Sequence, residues 1–488
     1  MKNYNIINIS ILFFSIFLIC LQIWLERFFG QVDFEQLLVF IAFGFYGLLD
    51  ADDYIISKFI EICLYLPIAL TTLYVLFITL ISKSKNFFKI NFNTKLINYQ
   101  FSLILLVFFY SIYNLSNYVS FKDFLIRDKN YDFIKDNYSA PNIEKIKNID
   151  SKKDLVLIYI EGLEEAFINK NFISENTIKD LSLNDYNSRE LSNFYQTKYN
   201  NWTVGAIVST QCGIPQKPLG ILDTRKKGFV GNRNVFGLKS FLPNAICLGD
   251  ILKAKNYHNI FINSVDLEFQ AMKTFLVNHG YDELIGKKFF TERKETKDYN
   301  SWAGGVHDKD LFDVAKKKII QNKEEKKRFN LTVLTTDTHN PGYVDKNCKF
   351  KFKPDTKKMF KALTCTAHEL EKFVDFIYRN YSNDTAIIIV GDHLNRHIED
   401  YVAPHNLKNL KRSVYNKFID KDFDLYREQI NHFDLYPTIL DILDFNINDK
   451  LGLGYSALKP TNIDYDLYKK DLIKNIGNKS KFYDAFWK

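Results

Sequence analysis

Several things are scarce in this chain, and each scarcity closes a line of interpretation. Arginine, proline and glycine are few, while lysine, asparagine, isoleucine, phenylalanine and tyrosine are abundant. That bias is a compositional habit and carries no functional signal. There is no long cationic block: 65 Lys and Arg face 57 Asp and Glu along the whole length, which leaves no case for nucleic-acid binding. No CxxC or Cys/His spacing suggests a structural zinc site. No repeat of solenoid period and no long low-complexity tract is present. What remains is a chain of 488 residues, too long for one ordinary domain and suited to a membrane segment with a large second domain.

The apolar residues are concentrated in the first 120 positions. Ile6–Leu25 and Ile62–Ile81 each run 20 residues without a charge, and Leu96–Tyr118 is a third long run. All three are long enough to span a bilayer, with the last crossing expected at about 99–118. Gln36–Leu49 has only 14 residues and lies between acidic flanks, so it reads as an interfacial or re-entrant helix. Lys83, Lys85, Lys89 and Lys95 follow the second run with no acid among them, which places that loop on the cytoplasmic side. Three spans then put everything after about residue 120 outside. A cleaved signal peptide at Ile6–Leu25 is the alternative, but no small-residue cleavage site follows it. The division expected is a transmembrane region over 1–120, a charged connector over 121–153 and an extracytoplasmic domain over 154–488.

Four of the six cysteines, Cys212, Cys247, Cys348 and Cys365, fall in that outer region, where oxidation is permitted. Of the three possible pairings, Cys212–Cys247 with Cys348–Cys365 is favoured, the latter closing a lysine-rich loop. Cys20 and Cys63 lie in or beside apolar runs.

From residue 154 onward, continuous aliphatic runs alternate with helical patterns. "LVLIYI" (155–160), "HNIFINS", "FNLTVLTT" and "DTAIIIVGDH" read as buried strands; "LGDILKAKNY" and "CTAHELEKFVDFIYRNY" read as helices. This predicts an α/β domain with a mostly parallel central sheet, whose ligands bind beyond the carboxyl ends of the strands. Polar residues gather at those ends. Glu161 follows the first strand, Asp392 and His393 follow "AIIIVG", and His339 follows "LTVLTT". Thr203 stands before "VGAIVS", small and β-branched residues able to open a helix packed on the sheet. Two carboxylates, an imidazole and a hydroxyl could together hold a divalent cation such as Mn²⁺ or Zn²⁺. Each has a plainer reading: Glu161 and Thr203 as helix caps, His339 as a loop residue, Trp302 and His307 as surface and cap residues. "NNWTVGAIVSTQCGIP" (200–215) also offers two candidate nucleophiles, Thr203 and Cys212.

The order and approximate spacing of "LVLIYIEGLEEAF", "WTVGAIVSTQCGIP", "NAICLGDILKAKNYHNIFINSVDLEF", "FLVNHGYDELIG", "TTDTHNPGYVDKNC" and "VGDHL" resemble the alkaline phosphatase/sulfatase superfamily. Within it, the chain is most similar to membrane-anchored phosphoglycerol transferases of osmoregulated periplasmic glucan synthesis, which are related to lipoteichoic acid synthases. The resemblance implies a sulfatase-like fold in which Glu161, Thr203, Asp392 and His393 bind one divalent ion, Mn²⁺ or Zn²⁺ with Mg²⁺ a third candidate. It makes Thr203 the nucleophile and His339 a phosphate contact, and it matches Trp302 and Asp308 to a Trp-Gly-x-x-Asp substrate-binding neighbourhood. Three departures stand out: Gly162 after the first glutamate, an extra residue in "SWAGGVHD", and Glu268 where a basic group is common. The implied reaction moves phosphoglycerol from phosphatidylglycerol through a phosphothreonine-type intermediate to a periplasmic glucan or related glycan, releasing diacylglycerol. The implied location is a bacterial inner membrane with the catalytic domain in the periplasm.

A phosphoethanolamine transferase acting on a cell-envelope glycan or lipid is the nearest rival. A sulfatase needs Cys/Ser-x-Pro-x-Arg, and "CGIPQK" lacks both that proline position and the arginine. With that arginine absent and an oxidising location expected, Cys212 becomes a disulfide partner and Thr203 the nucleophile. A catalytically silent lipid or glycan sensor is the third alternative.

Overall fold

The computed structural model describes residues 2–43, 53–88, 95–126, 130–148, 153–217, 233–234, 237–238, 240–402, 410, 412–420 and 423–488. They divide into two compact units, Met1–Leu37 with Ala51–Ile126 and Leu38–Asp50 with Arg127–Lys488.

Helices α1 (Lys2–Phe29), α3 (Leu66–Phe88) and α4 (Lys95–Tyr118) lie in the first unit, while α2 (Phe34–Phe43) runs across the division at Leu37. Among the described residues three stretches are long and apolar enough to cross a membrane: Ile6–Phe29, Ile56–Leu80 and Gln100–Tyr118. The middle one contains a wide π turn at Ile60–Tyr65. It ends two residues before Pro67, whose ring lacks the N–H that a regular helical turn requires. α1 and α4 are tied by Asn114 Nδ2 donating to Gln22 Oε1 at 2.9 Å, a polar pair whose groups would otherwise face hydrocarbon. Two expectations change. Helix α3 runs on to Phe88, so Lys83 and Lys85 are helical and not in a loop, while Lys89 lies outside the described residues. Helix α2 starts at Phe34, two residues before the short helix expected at 36–49, and 44–49 also lie outside the described residues.

The second unit is built on a seven-stranded sheet. Its strands are β1 Asp154–Ile160, β2 Ser188–Arg189, β3 His258–Asn263, β4 Glu283–Ile285, β5 Phe329–Leu334, β6 Thr385–Gly391 and β7 Asn416–Ile419. The order across the sheet is β2-β7-β6-β1-β5-β3-β4. The five strands from β6 to β4 are parallel, and β7 and β2 close one edge antiparallel. Leu155, Leu157 and Tyr159 bury into one apolar layer and Val156, Ile158 and Ile160 into the other. Both faces are covered, which is why these strands read as unbroken aliphatic runs and not as alternating ones. Helices α6 (Asp308–Glu324) and α7 (Lys358–Tyr381) supply one layer. Helices α5 (Thr203–Cys212) and α8 (His432–Ile442) supply the other.

Helix α7 begins seven residues before the expected Cys365 start. The connector, expected from its charge to give no strong core signal, does supply core residues. Phe133, Ile134 and Ile146 are buried in the second unit's core, with Phe133 against Tyr468. Charges between these apolar residues mask them in sequence, since three positions give no periodic signal. Disulfides join Cys212 to Cys247 and Cys348 to Cys365, while Cys20 and Cys63 are free and buried.

Candidate active site

Strand register brings the polar residues together. β1 and β6 pair in parallel with Ile160 opposite Gly391, so Glu161 and Asp392 leave adjacent strands at the same level. The Asp392 amide still donates to Ile160 O at 3.1 Å. β5 lies on the other side of β1 with Leu334 opposite Tyr159, which delivers the Thr335–His339 loop to the same edge. Thr338 closes the arrangement by donating its hydroxyl to Glu161 O at 2.6 Å.

Thr203 is the first residue of α5, whose remaining residues, Val204–Cys212, are all buried. The helix sits tightly on its entry turn: a Cβ at Gly205 would lie 2.3 Å from Tyr199 O and 2.7 Å from the Trp202 ring. Only glycine permits this approach, and the approach holds Thr203 against the strand ends. The Thr203 hydroxyl donates to Glu161 Oε2 at 3.1 Å.

The ligand-type atoms converge with no donor between them. Asp392 Oδ1 accepts from the amides of Gly162 at 2.7 Å and His393 at 2.8 Å. Gly162 has a φ of +59°, a left-handed turn that suits glycine and aims its N–H back at Asp392. Asp392 Oδ2 is buried with no hydrogen-bond partner. His393 donates from Nδ1 to Leu394 O at 2.9 Å, which leaves a lone pair on Nε2 in the neutral ring. That Nε2 stands 3.4 Å from Asp392 Oδ2 and 3.5 Å from Glu161 Oε1. Three acceptors facing one another in a buried space repel unless a cation lies among them. Burial, and then the neighbouring Asp392 charge, hold the Glu161 carboxyl well above its ordinary pKa. Glu161, Asp392 and His393 therefore fit a divalent ion, with Thr203 at its margin.

The other predicted residues divide. Trp302 stacks on His339 with ring centroids 4.4 Å apart. Its indole N–H is buried without a partner, a donor left for a ligand oxygen. Trp302 also lines a cavity of about 280 Å³ with Asp266, Lys287, Lys288 and Thr291. His339 donates from Nδ1 to Asn340 O at 3.1 Å, and burial pushes its imidazole below the ordinary pKa. Asp308 has both carboxylate oxygens engaged within the protein. Its carboxylate accepts from the amides of Thr336 and Asp337 at 2.9 and 3.2 Å and from Thr366 Oγ1 at 2.6 Å, so it braces the His339 loop. Burial, and then the Asp337 charge, raise its pKa to about 7. Glu268 is ion-paired with Lys273 at 2.7 Å.

Three residues near the centre escaped the sequence reading. Arg396 lowers the pKa of both Glu161 and His339 by its charge, so it supplies a basic group. Its signal was the polar run "GDHLNRH". His432, fully buried at the start of α8, donates from Nε2 to Asp392 O at 2.7 Å. Burial pushes its pKa down to about 3, so it stays neutral. Glu164 is buried and clamped by Arg412 at 2.5 Å. Arg412 also donates to Asn395 O at 2.6 Å, fixing the turn after His393.

Comparison with known proteins places this geometry in context. The family described as Sulfatase matches residues 153–445. Phosphoglycerol transferase I of Escherichia coli O127:H6 is 31% identical over 317 residues, covering 63% of this chain and 39% of that protein. The Shigella flexneri protein of the same name is 31% identical over 318 residues, with the same two shares. The chain thus spans 39% of the length of these curated relatives. A crystal structure of an alkaline phosphatase superfamily protein from Vibrio parahaemolyticus is 22% identical, covering 64% of this chain and 71% of that one, with a TM-score of 0.49.

Proposed function

Starting from a chain that belongs to the sulfatase family, we propose that it is a membrane-anchored phosphoglycerol transferase that uses Thr203 as its nucleophile. The observation that carries the reading is the meeting of Glu161, Asp392 and His393 acceptor atoms beside a threonine that opens a buried helix and donates its hydroxyl to Glu161. The names of the curated relatives support phosphoglycerol as the group moved. The three apolar helices support a donor that resides in a membrane, phosphatidylglycerol.

An ion, Mn²⁺ or Zn²⁺, held by Glu161, Thr203, Asp392 and His393 would favour the ionised threonine and offset charge on the phosphoryl oxygens. The chain's own residues account for the rest. Thr203 Oγ attacks phosphorus, the bond to diacylglycerol breaks, and diacylglycerol leaves as the alcohol with the proton that threonine lost. A glycan hydroxyl, on a periplasmic glucan in this reading, then displaces Thr203, which regains a proton. The α5 N-terminus faces the phosphoryl group with the first amides of the helix, which favours anionic oxygens. Trp302 Nε1 and the ring it stacks on, His339, bound the headgroup side. Because His339 Nδ1 is occupied by Asn340 O, its Nε2 donates to phosphate only in the doubly protonated ring, which a bound anion favours.

The test uses purified protein with Mn²⁺, a periplasmic glucan and phosphatidylglycerol or phosphatidylethanolamine, each labelled in the headgroup. Transfer of label from phosphatidylglycerol with release of diacylglycerol is expected. Label moving only from phosphatidylethanolamine would reassign the donor, and no diacylglycerol from either lipid would overturn the enzymatic reading.

A further inference from the structure

A second group of the same chemistry lies beyond the Thr203 centre. Asp298, His307 and Asp345 offer ligand atoms that all lie within 4.8 Å of one another. His307 is only 1% exposed and donates from Nδ1 to Asp337 Oδ1 at 2.8 Å. A carboxylate on the far nitrogen fixes the tautomer and raises the basicity of the other, as it does for histidines that bind metals. The other nitrogen, Nε2, is buried, has no hydrogen-bond partner and stands 3.9 Å from Asp298 Oδ1. Asp298 is 5% exposed, and its Oδ2 also lacks a hydrogen-bond partner. Lys346 Nζ lies 3.3 Å from that Oδ2, but its side chain is largely exposed and can turn into solvent. Asp345 is held by Asn347, whose backbone and side-chain amides donate to Oδ1 at 2.7 and 3.0 Å.

We propose that Asp298, His307 Nε2 and Asp345 form a second divalent-cation site, separate from the Thr203 centre and independent of which lipid is the donor. One imidazole and two carboxylates suit Zn²⁺ or Mn²⁺. Around a tetrahedral ion with bonds near 2 Å, ligand atoms sit about 3.3 Å apart, so small side-chain movements complete the site. A cavity of about 730 Å³ has Asp337 and Asp345 on its wall and gives an ion an entry path.

The position gives the site a task. Asp298 and His307 bracket Trp302, and Asp345 follows the loop carrying His339, so an ion would tie together the two loops whose rings stack. Ser301 Oγ and His307 Nδ1 already meet on Asp337 Oδ1, two residues before His339. These are positioning residues: they act on substrate through Trp302 and His339.

The experiment is a count of ions. Full-length protein in detergent is stripped with chelator, reloaded with Zn²⁺ or Mn²⁺ alone, dialysed and analysed by elemental mass spectrometry. Two ions per chain are expected for the wild type, one for Asp298→Asn, one for Asp345→Asn and one for Asp392→Asn. Circular dichroism and melting of each variant separate loss of an ion from loss of fold. If Asp298→Asn does not fold, the loop variant Asp345→Asn decides. Asp345→Asn should also raise KM for lipid several-fold while leaving kcat close to wild type. A wild type holding a single ion that Asp392→Asn removes would overturn the proposal, as would two ions that persist in Asp345→Asn. Neither result depends on whether phosphatidylglycerol is consumed, so this site and the lipid reading fail separately.

Discussion

Two buried groups of two carboxylates and one histidine lie in the same domain, and their surroundings differ. At Glu161, Asp392 and His393, the histidine's far nitrogen is held by a backbone carbonyl, and a helix-opening threonine hydroxyl stands against Glu161. At Asp298, His307 and Asp345, the far nitrogen is held by a carboxylate, and the additional side chains on the two carboxylates are the amides of Asn300 and Asn347 and the amine of Lys346. The first group sits on the ends of adjacent parallel strands; the second is contributed by loops. Identical ligand chemistry therefore supports different tasks. In the proposed reading, the threonine at a helix N-terminus makes the first the reacting centre, and the lack of such a hydroxyl leaves the second a brace.

The largest expected effect separates the two directly. Thr203→Ala should lower diacylglycerol release by at least about 10⁴-fold, as loss of a covalent nucleophile does, while the ion count at the second group stays unchanged. Asp392→Asn should cost at least about 10³-fold in turnover, because a lost ion removes several kcal/mol of charge stabilisation. Elemental analysis should show one ion gone and the other kept. Replacing both Cys348 and Cys365 by serine opens a link of sequence separation 17. Chemical denaturation should register a loss of about 3 kcal/mol. Ion content should fall at the second group only, since Asp345 lies three residues before Cys348. The smallest effect is that of Trp302→Ala. Steady-state kinetics should give a KM about tenfold higher with kcat nearly unchanged, or about 1.4 kcal/mol of binding. A fall in kcat equal to the rise in KM would place Trp302 in the transition state and weaken the contrast.

How legible each group was follows from where its residues come from. Glu161, Asp392 and His393 follow aliphatic runs that announce buried parallel strands, and ligands collect at such strand ends. Thr203 was visible through the small residues that follow it, and Gly205 shows why they are small. Asp298 and Asp345 come from irregular loops whose paths are set by distant packing, so no period or spacing joins them to His307. Asp308 occupies a motif position, but the motif could not reveal that its oxygens are filled by Thr336, Asp337 and Thr366. Phe133, Ile134 and Ile146 were hidden for a related reason. They are isolated apolar residues in a charged stretch, and only the tertiary core gives them partners.

Asp392 divides its labour between two oxygens, one committed to the amides of Gly162 and His393 and one left bare. That division constrains how such a centre can drift over evolutionary time. A glutamate there would conserve charge yet displace the bare oxygen by one carbon, and an asparagine would conserve shape yet place an amide or a weaker oxygen where the ion belongs. Either change would alter the bare oxygen while leaving the two amide contacts a partner, so the two halves of this one side chain answer to different demands.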